Sequence, residues 1–288
     1  MITIFGNLRI NDPEKLQHLK DSFLSFNKIS DNWVLNIRGN KRKEAISFLK
    51  KHLGKKATFF NIIDESRGWS HNALKMIGSI NCPYVLLWNE DHINTAEQEI
   101  YADIAKELSS ENIDVMWYSW WINRKLRRGY EKLSLNKLKY VDTILLTKSK
   151  WKIINTPSYP FYIISMMGIF KTEFFKKLLI DDTKMFPFSW TIKLRTYLTK
   201  LQSMGKIKNI EQASNNLNKL FRYKFRRFPE YTPFNLEKDQ TRTDILPLKI
   251  ALPKRELFAC IDDDLTFPGY SLISRGLYKR TQSVKNTK

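Results

Sequence analysis

The chain has 288 residues, 42% of them hydrophobic and 13% aromatic, which excludes a disordered chain and supplies enough apolar surface for a large core. Forty-nine Lys and Arg against 29 Asp and Glu give a formal charge of +20, so the partners to consider are anionic: nucleic acid, an acidic membrane surface, or phosphorylated and acidic glycans. Cys82 and Cys260 lie far apart in unlike surroundings, which indicates neither a disulfide framework nor a thiolate zinc site and fits a reducing cytoplasm.

The amino terminus enters a strand directly, without the basic start and apolar core of a signal peptide. Residues 2–5 form a short β-branched and aromatic run that is expected to end at Gly6-Asn7, with Arg9 in the loop beyond. Asp12-Pro13-Glu14 is a helix start, Asp at the cap and Pro at the first position, and Leu16, Leu19, Phe23 and Leu24 follow at helical spacing. A second strand is predicted over 33–37, stopped by Arg38-Gly39-Asn40. The helix predicted over 41–53 turns Ala45, Ile46, Phe48, Leu49 and Leu53 inward. A third apolar run, 57–63, ends at Asp64-Glu65. Ser70 is the expected cap of a helix through residue 80. His18 and His52 fall on predicted helices and read as surface residues.

Residues 84–88 are apolar without interruption, which predicts a central strand covered on both faces. Asn89, Glu90, Asp91 and His92 follow at once. In open α/β sheets ligands sit beyond the carboxyl ends of the strands, where carboxylates can hold a divalent cation against nucleotide phosphates. Strand-end Asn and Asp also occur in ordinary turns. It is the preceding series of alternating strands and helices, the pattern of right-handed crossovers in a mostly parallel sheet, that favours a site.

Further on, a helix is predicted over 95–108, an aromatic strand over 115–121 and another strand over 141–146. Arg124-Lys125-Leu126-Arg127-Arg128 is a basic loop, and Pro157 and Pro160 forbid one continuous helix through the apolar stretch 151–170. That stretch holds only ten consecutive residues, 161–170, free of charge and proline, well short of the ~20 that a spanning helix needs. Residues 168–175 read as a strand turning into a helix. Segments 190–201 and 217–228 are basic and amphipathic, suited either to a solvated helix back or to an anionic bilayer. Leu257 to Ile261 is apolar and runs into Asp262-Asp263-Asp264, which is either a second acidic constellation or a solvated junction.

This order of elements resembles the GT-A fold glycosyltransferases, in particular the family-two-like bacterial enzymes. Gly68-Trp69-Ser70-His71-Asn72-Ala73 stands where those enzymes carry an Arg-Asn helix start, Asn89-Glu90-Asp91 where they carry Asp-X-Asp, and Gly168-Ile169-Phe170 where they carry an acceptor-side strand. The resemblance implies an α/β fold, a Rossmann-type mixed sheet flanked by helices, with a nucleotide-sugar-binding core over 1–180 and a basic helical, acceptor-side part over 181–288. It implies transfer from a nucleotide-sugar donor to a glycan or lipid-linked acceptor. The setting would be the cytoplasm, with an anionic membrane surface as a further partner and no specific nucleic acid.

In that scheme Glu90, Asp91 and His92 are the candidate ligands of a divalent metal, Mn or Mg. Read as an extended segment, Glu90 and His92 share a face; read by the family pattern, Asp91 is the ligand. Arg9, Arg38, Asp64, His71, Asn72 and Asn89 are candidates for contact with the nucleotide sugar. Asp182 and Asp263 are the candidate carboxylates on the acceptor side, one of which would deprotonate the acceptor hydroxyl in an inverting reaction. Asn89 replaces the first family aspartate, and Arg38 replaces the acidic end of the second strand, so the base of the donor is not implied. The rival classes are a nucleic-acid-binding protein and a metal-dependent phosphodiesterase. The first lacks any module signature and the second wants more histidines beside its acids.

Overall fold

The computed structural model describes residues 1–64, 68–117, 130, 132–155, 163–164, 166–183, 197–206, 236, 243–262 and 270–279. Side chains are described up to residue 180 in the helix that ends at residue 183. Among the described residues the fold is α/β, a nine-stranded mixed sheet flanked by helices, with a separate two-stranded ribbon.

Strand β1, Ile2–Arg9, pairs in parallel with β2, Trp33–Arg38, on one side and with β4, Tyr84–Leu87, on the other. β3, Ala57–Phe60, adds in parallel to β2. The carboxyl ends of these four strands therefore share one edge of the sheet. Beyond β4 the sheet continues through β9 (Ile169–Lys171), β6 (Val115–Met116), β10 (Leu248–Pro253), β8 (Val141–Leu146) and β7 (Asn136–Lys137). β9 runs antiparallel to both β4 and β6. β10, from the carboxyl-terminal third of the chain, is an interior strand between β6 and β8.

Helices α1 (Pro13–Phe26), α2 (Arg42–Leu53) and α4 (Ile100–Ser110) pack on one face, where Leu19, Phe23, Leu49, Tyr101 and Leu108 meet Ile4, Leu35, Tyr84 and Leu86. Helices α3 (Trp69–Ile77), α5 (Lys148–Ile154) and α6 (Thr172–Thr183) pack on the other, against Phe5, Val34, Val85 and Leu87. Strand alternation sends neighbouring side chains into the two cores, which is why β4 is buried at every residue. The helix changes face where the strand order reverses, between β1 and β4. That reversal is the topological switch point where open α/β sheets place their ligand crevice.

Asp12 caps α1 as expected, its carboxylate accepting from Lys15 N–H at 2.8 Å. The structure corrects several expectations. β1 does not stop at Gly6-Asn7 but runs on to Arg9, because Gly6 is a packing glycine and not a turn: a Cβ there would lie 2.9 Å from Trp88 Cε3. β3 ends at Phe60, so Asp64 stands in an exposed segment beyond it. Ser70 lies inside α3, whose cap position is held by Gly68 at φ +83°. Leu24 is exposed, and the buried face of α1 is instead His18, Leu19, Ser22, Phe23 and Phe26, so His18 is a buried residue. The cause is a second layer over α1, the ribbon of β5 (His92–Asn94) and β11 (Phe258–Cys260). Residues 197–203 are helical; the basic loop 124–128, the basic segment 217–228 and residues 118–121 of the aromatic run lie outside the described residues.

Gly39 does end β2 as a turn glycine. Its φ is +93°, and an added Cβ would lie 2.4 Å from the carbonyl oxygen of Ile10. Gly39→Ala is expected to destabilise the protein by roughly 1–3 kcal/mol, read as a lower denaturation midpoint with unchanged cooperativity. Tyr130 behaves in the opposite sense. Its hydroxyl is buried with no hydrogen-bond partner among the described residues, and its ring packs edge-on to Trp117 at 5.8 Å. Tyr130→Phe keeps the ring and removes the orphan, so it is expected to raise stability by about 1 kcal/mol. A clear loss of stability would show that the hydroxyl is satisfied.

Candidate active site

At the switch point β4 ends in Leu87, and the backbone of Trp88 still donates to the Phe5 carbonyl of β1 at 2.8 Å. The chain then turns through Glu90 and Asp91 before entering β5. The turn is held from below by Ser22 of α1. Its hydroxyl accepts from Trp88 Nε1 at 2.8 Å, and its single proton serves the His92 carbonyl at 2.5 Å or that of Asn89 at 3.2 Å. From above, Ile261 N–H donates to the Asp91 carbonyl at 2.7 Å, an extension of the pairing in which Cys260 sits opposite His92.

Because 90–91 is a turn and not an extended segment, Glu90 and His92 do not share a face. Asp91 and His92 are the neighbours: His92 Nδ1 lies 2.6 Å from Asp91 Oδ1. The buried thiol of Cys260 joins them, with the donor atoms of all three within 4.8 Å of one another. Sequence reasoning missed Cys260 because only the ribbon pairing brings it here. Glu90 points elsewhere, towards Lys15 on α1, its Oε1 3.8 Å from Lys15 Nζ.

The two carboxyls are driven apart in acidity. Burial, then the charge of Asp91, push Glu90 up to about 7, consistent with a side chain only 15% exposed. Burial acts on Asp91 as well, but the charge and hydrogen bond of His92 outweigh it and hold Asp91 below the usual carboxylate range. Asp91 remains 37% exposed, so an ionised oxygen is open to a ligand. A carboxylate beside an imidazole and a thiol suits zinc or cobalt, and manganese would be held chiefly through the carboxylate oxygen. Magnesium prefers a shell of oxygens.

Along the same edge a buried polar network joins β1, β2 and α3. Asn36 Nδ2 donates to Asn7 Oδ1 at 3.1 Å and to the Ile62 carbonyl at 3.0 Å, while Ile62 N–H donates to Asn36 Oδ1. Trp69 Nε1 donates to the Asn7 carbonyl at 3.1 Å. Asn72, also buried, donates to the Asp64 carbonyl at 2.8 Å, tying the segment after β3 to the first turns of α3. Asn72 thus serves a backbone group, and His71 beside it is half-buried. Arg9 and Arg38 are register partners at the ends of β1 and β2. Arg9 is exposed, whereas Arg38 is 6% exposed and donates to the Asn7 carbonyl at 3.4 Å.

Asn89 donates through Nδ2 to Met167 Sδ at 3.1 Å, beside Gly168, whose carbonyl accepts from Leu87 N–H. The Gly168-Ile169-Phe170 strand therefore borders the turn directly. Asp182 lies in the last turn of α6, its side chain outside the described residues, and Asp263 lies outside them altogether. Asp262 is described and exposed, just past β11. Among the described residues a groove of about 450 Å³ lies at the outer edge of the sheet, lined by Arg42, Lys43, Lys50, Phe59 and Asn61 beside β3. No helix among the described residues is long and apolar enough to cross a membrane.

No protein-family model matches the sequence, and no curated protein matches it. Solved structures similar to the chain include S. aureus TarS, at 14% identity over 68% of this chain and 33% of that chain, with a TM-score of 0.41. A structure of TarS 1-349 in complex with UDP-GlcNAc matches at 13% identity over 64% of this chain and 48% of that chain, TM-score 0.40. One in complex with UDP matches at 12% identity over 68% and 55%, TM-score 0.38. The chain spans about a third to just over half the length of these structures.

Proposed function

We propose that the chain is a glycosyltransferase of the GT-A kind, taking a sugar from a nucleotide-sugar donor to a glycan or lipid-linked acceptor. The observation that carries the reading is the position of Asp91. It follows the fully buried β4, at the point where the strand order reverses, with an open carboxylate held ionised and the backbone of its turn tied by hydrogen bonds to Ser22 of α1 and to Ile261 just beyond β11.

In this reading the donor lies along the edge formed by the ends of β1, β2 and β4. Arg9 and Arg38 face its phosphates, Asp64 and His71 its nucleoside, Asn72 keeps the 61–64 segment in place, and Asn89 lines the boundary with the acceptor side. Asp91, with His92 and Cys260, would hold a divalent ion, which when bound offsets the charge that gathers on the departing diphosphate. The acceptor enters over Gly168, and Asp182 or Asp263 takes the proton of its hydroxyl in an inverting reaction.

Thermal unfolding with a panel of nucleoside diphosphates and manganese tests this. A ligand present at 100 times its Kd is expected to stabilise the fold by about 2.7 kcal/mol. No shift with any pair, from a protein that unfolds cooperatively, would count against donor binding.

A further inference from the structure

β3 is the outermost strand of the nine-stranded sheet, at the end of the order opposite β7. Among the described residues it pairs with β2 alone, and no other strand, loop or side chain hydrogen-bonds along its outer edge. Proteins normally blunt such an edge with charge, proline or a bulge, because its unpaired N–H and C=O groups are a template for another strand. β3 carries none of these. It reads Ala57-Thr58-Phe59-Phe60, stays in continuous register with β2 from Trp33 to Asn36, and leaves both phenylalanines only half-buried.

Beside this edge runs the groove of about 450 Å³, lined by Arg42, Lys43, Ile46 and Lys50 of α2 and by Phe59 and Asn61. Positions 43, 46 and 50 recur at helical spacing, so α2 turns one cation-bearing face along the strand. Those charges are not balanced within the chain. Lys43 has no ion pair among the described residues, and Lys50 Nζ lies over the Phe59 ring, 5.6 Å from its centre. Arg42 donates to the Ile37 carbonyl at 2.9 Å and to Asn61 Oδ1 at 2.6 Å, both uncharged. Residues 41–56 hold seven Lys and Arg against one acid, Glu44, which is taken by Lys41.

We infer that the β3 edge and this groove dock an acidic, extended segment of a partner protein, added to the sheet as a further strand. Phe59 packs with the core on the α2 side and Phe60 with the opposite core, so an added strand sends alternate side chains to the two faces. Those on the α2 side meet Lys43 and Lys50, which calls for Asp or Glu at every second position, and those on the other side meet Phe60. Main-chain hydrogen bonds supply the affinity and the lysines select the partner. A second copy of this chain does not fit, because pairing β3 with β3 sets two groups of cations against each other. The inference goes beyond sugar transfer and does not depend on it.

Fluorescence anisotropy of the full chain with a labelled peptide of about eight alternating Glu and Val residues tests this. Saturable binding is expected. Lys43→Glu combined with Lys50→Glu changes two exposed residues, and is expected to weaken binding roughly 10-fold or more while cooperative unfolding is kept. N-methylation of all the peptide's amides removes its backbone donors and keeps its charge, and is expected to weaken binding to a similar degree. Undiminished affinity in the double variant or for the N-methylated peptide would overturn the assignment. So would a protein that ignores the peptide and binds inorganic polyphosphate through the same two lysines, which would mark the groove as a phosphate site.

Discussion

Asp91→Asn is expected to lower sugar transfer by at least about 10²–10³-fold with only a modest fall in melting temperature, the stabilisation that the ionised carboxylate draws from His92. The substitution keeps the size of the side chain and an oxygen that can accept from His92 Nδ1, so the turn survives. What it removes is the negative charge that His92 stabilises and that a divalent ion would meet. Metal-dependent binding of a nucleoside diphosphate should disappear with it. An Asp91→Asn variant that transfers sugar at the wild-type rate would place the chemistry elsewhere.

Ser22→Ala is expected to have the largest effect on stability from the smallest change. Ser22 is fully buried, and its hydroxyl is the shared partner of Trp88 Nε1 and the His92 carbonyl. Deleting it leaves a buried donor and a buried acceptor unpaired, each costing about 1–3 kcal/mol, so a loss of roughly 2–6 kcal/mol is expected in denaturant unfolding. Ser22 touches no ligand in the proposed site. It is a positioning residue, and its replacement should also weaken metal binding at Asp91 without altering which nucleotide is preferred. The two variants therefore separate: one loses function with little loss of stability, the other loses stability first. A Ser22→Ala protein as stable as wild type would mean that the turn is held by the ribbon alone.

Much of the frame is legible in the residue order, for physical reasons that differ from element to element. β4 is readable because a strand buried on both faces must be apolar throughout, and the stop after β2 because only glycine tolerates the turn at Gly39. Asp12-Pro13 announces α1 by local chemistry alone. The misreadings share a cause in tertiary contact. Gly6 looks like a loop residue and is instead the space that Trp88 occupies. The faces of α1 look like one apolar stripe and a solvated back, and the ribbon from residues 92–94 and 258–260 covers part of that back. Strands of three residues leave no periodic signal, and nothing local pairs His92 with Cys260. Hence the acidic tip itself could be found in the sequence, while Cys260, Lys15, Ser22 and the burial of His18 could not.

One placement carries the proposed chemistry, a diphosphate and its metal at the end of β4. Crystals soaked with manganese and a nucleoside diphosphate test it through the anomalous signal of the ion. The expected result is a peak at coordination distance from the Asp91 carboxylate, with the diphosphate running from it towards Arg9 and Arg38. A diphosphate bound instead in the basic groove of Arg42, Lys43 and Lys50, with no manganese at Asp91, would contradict it.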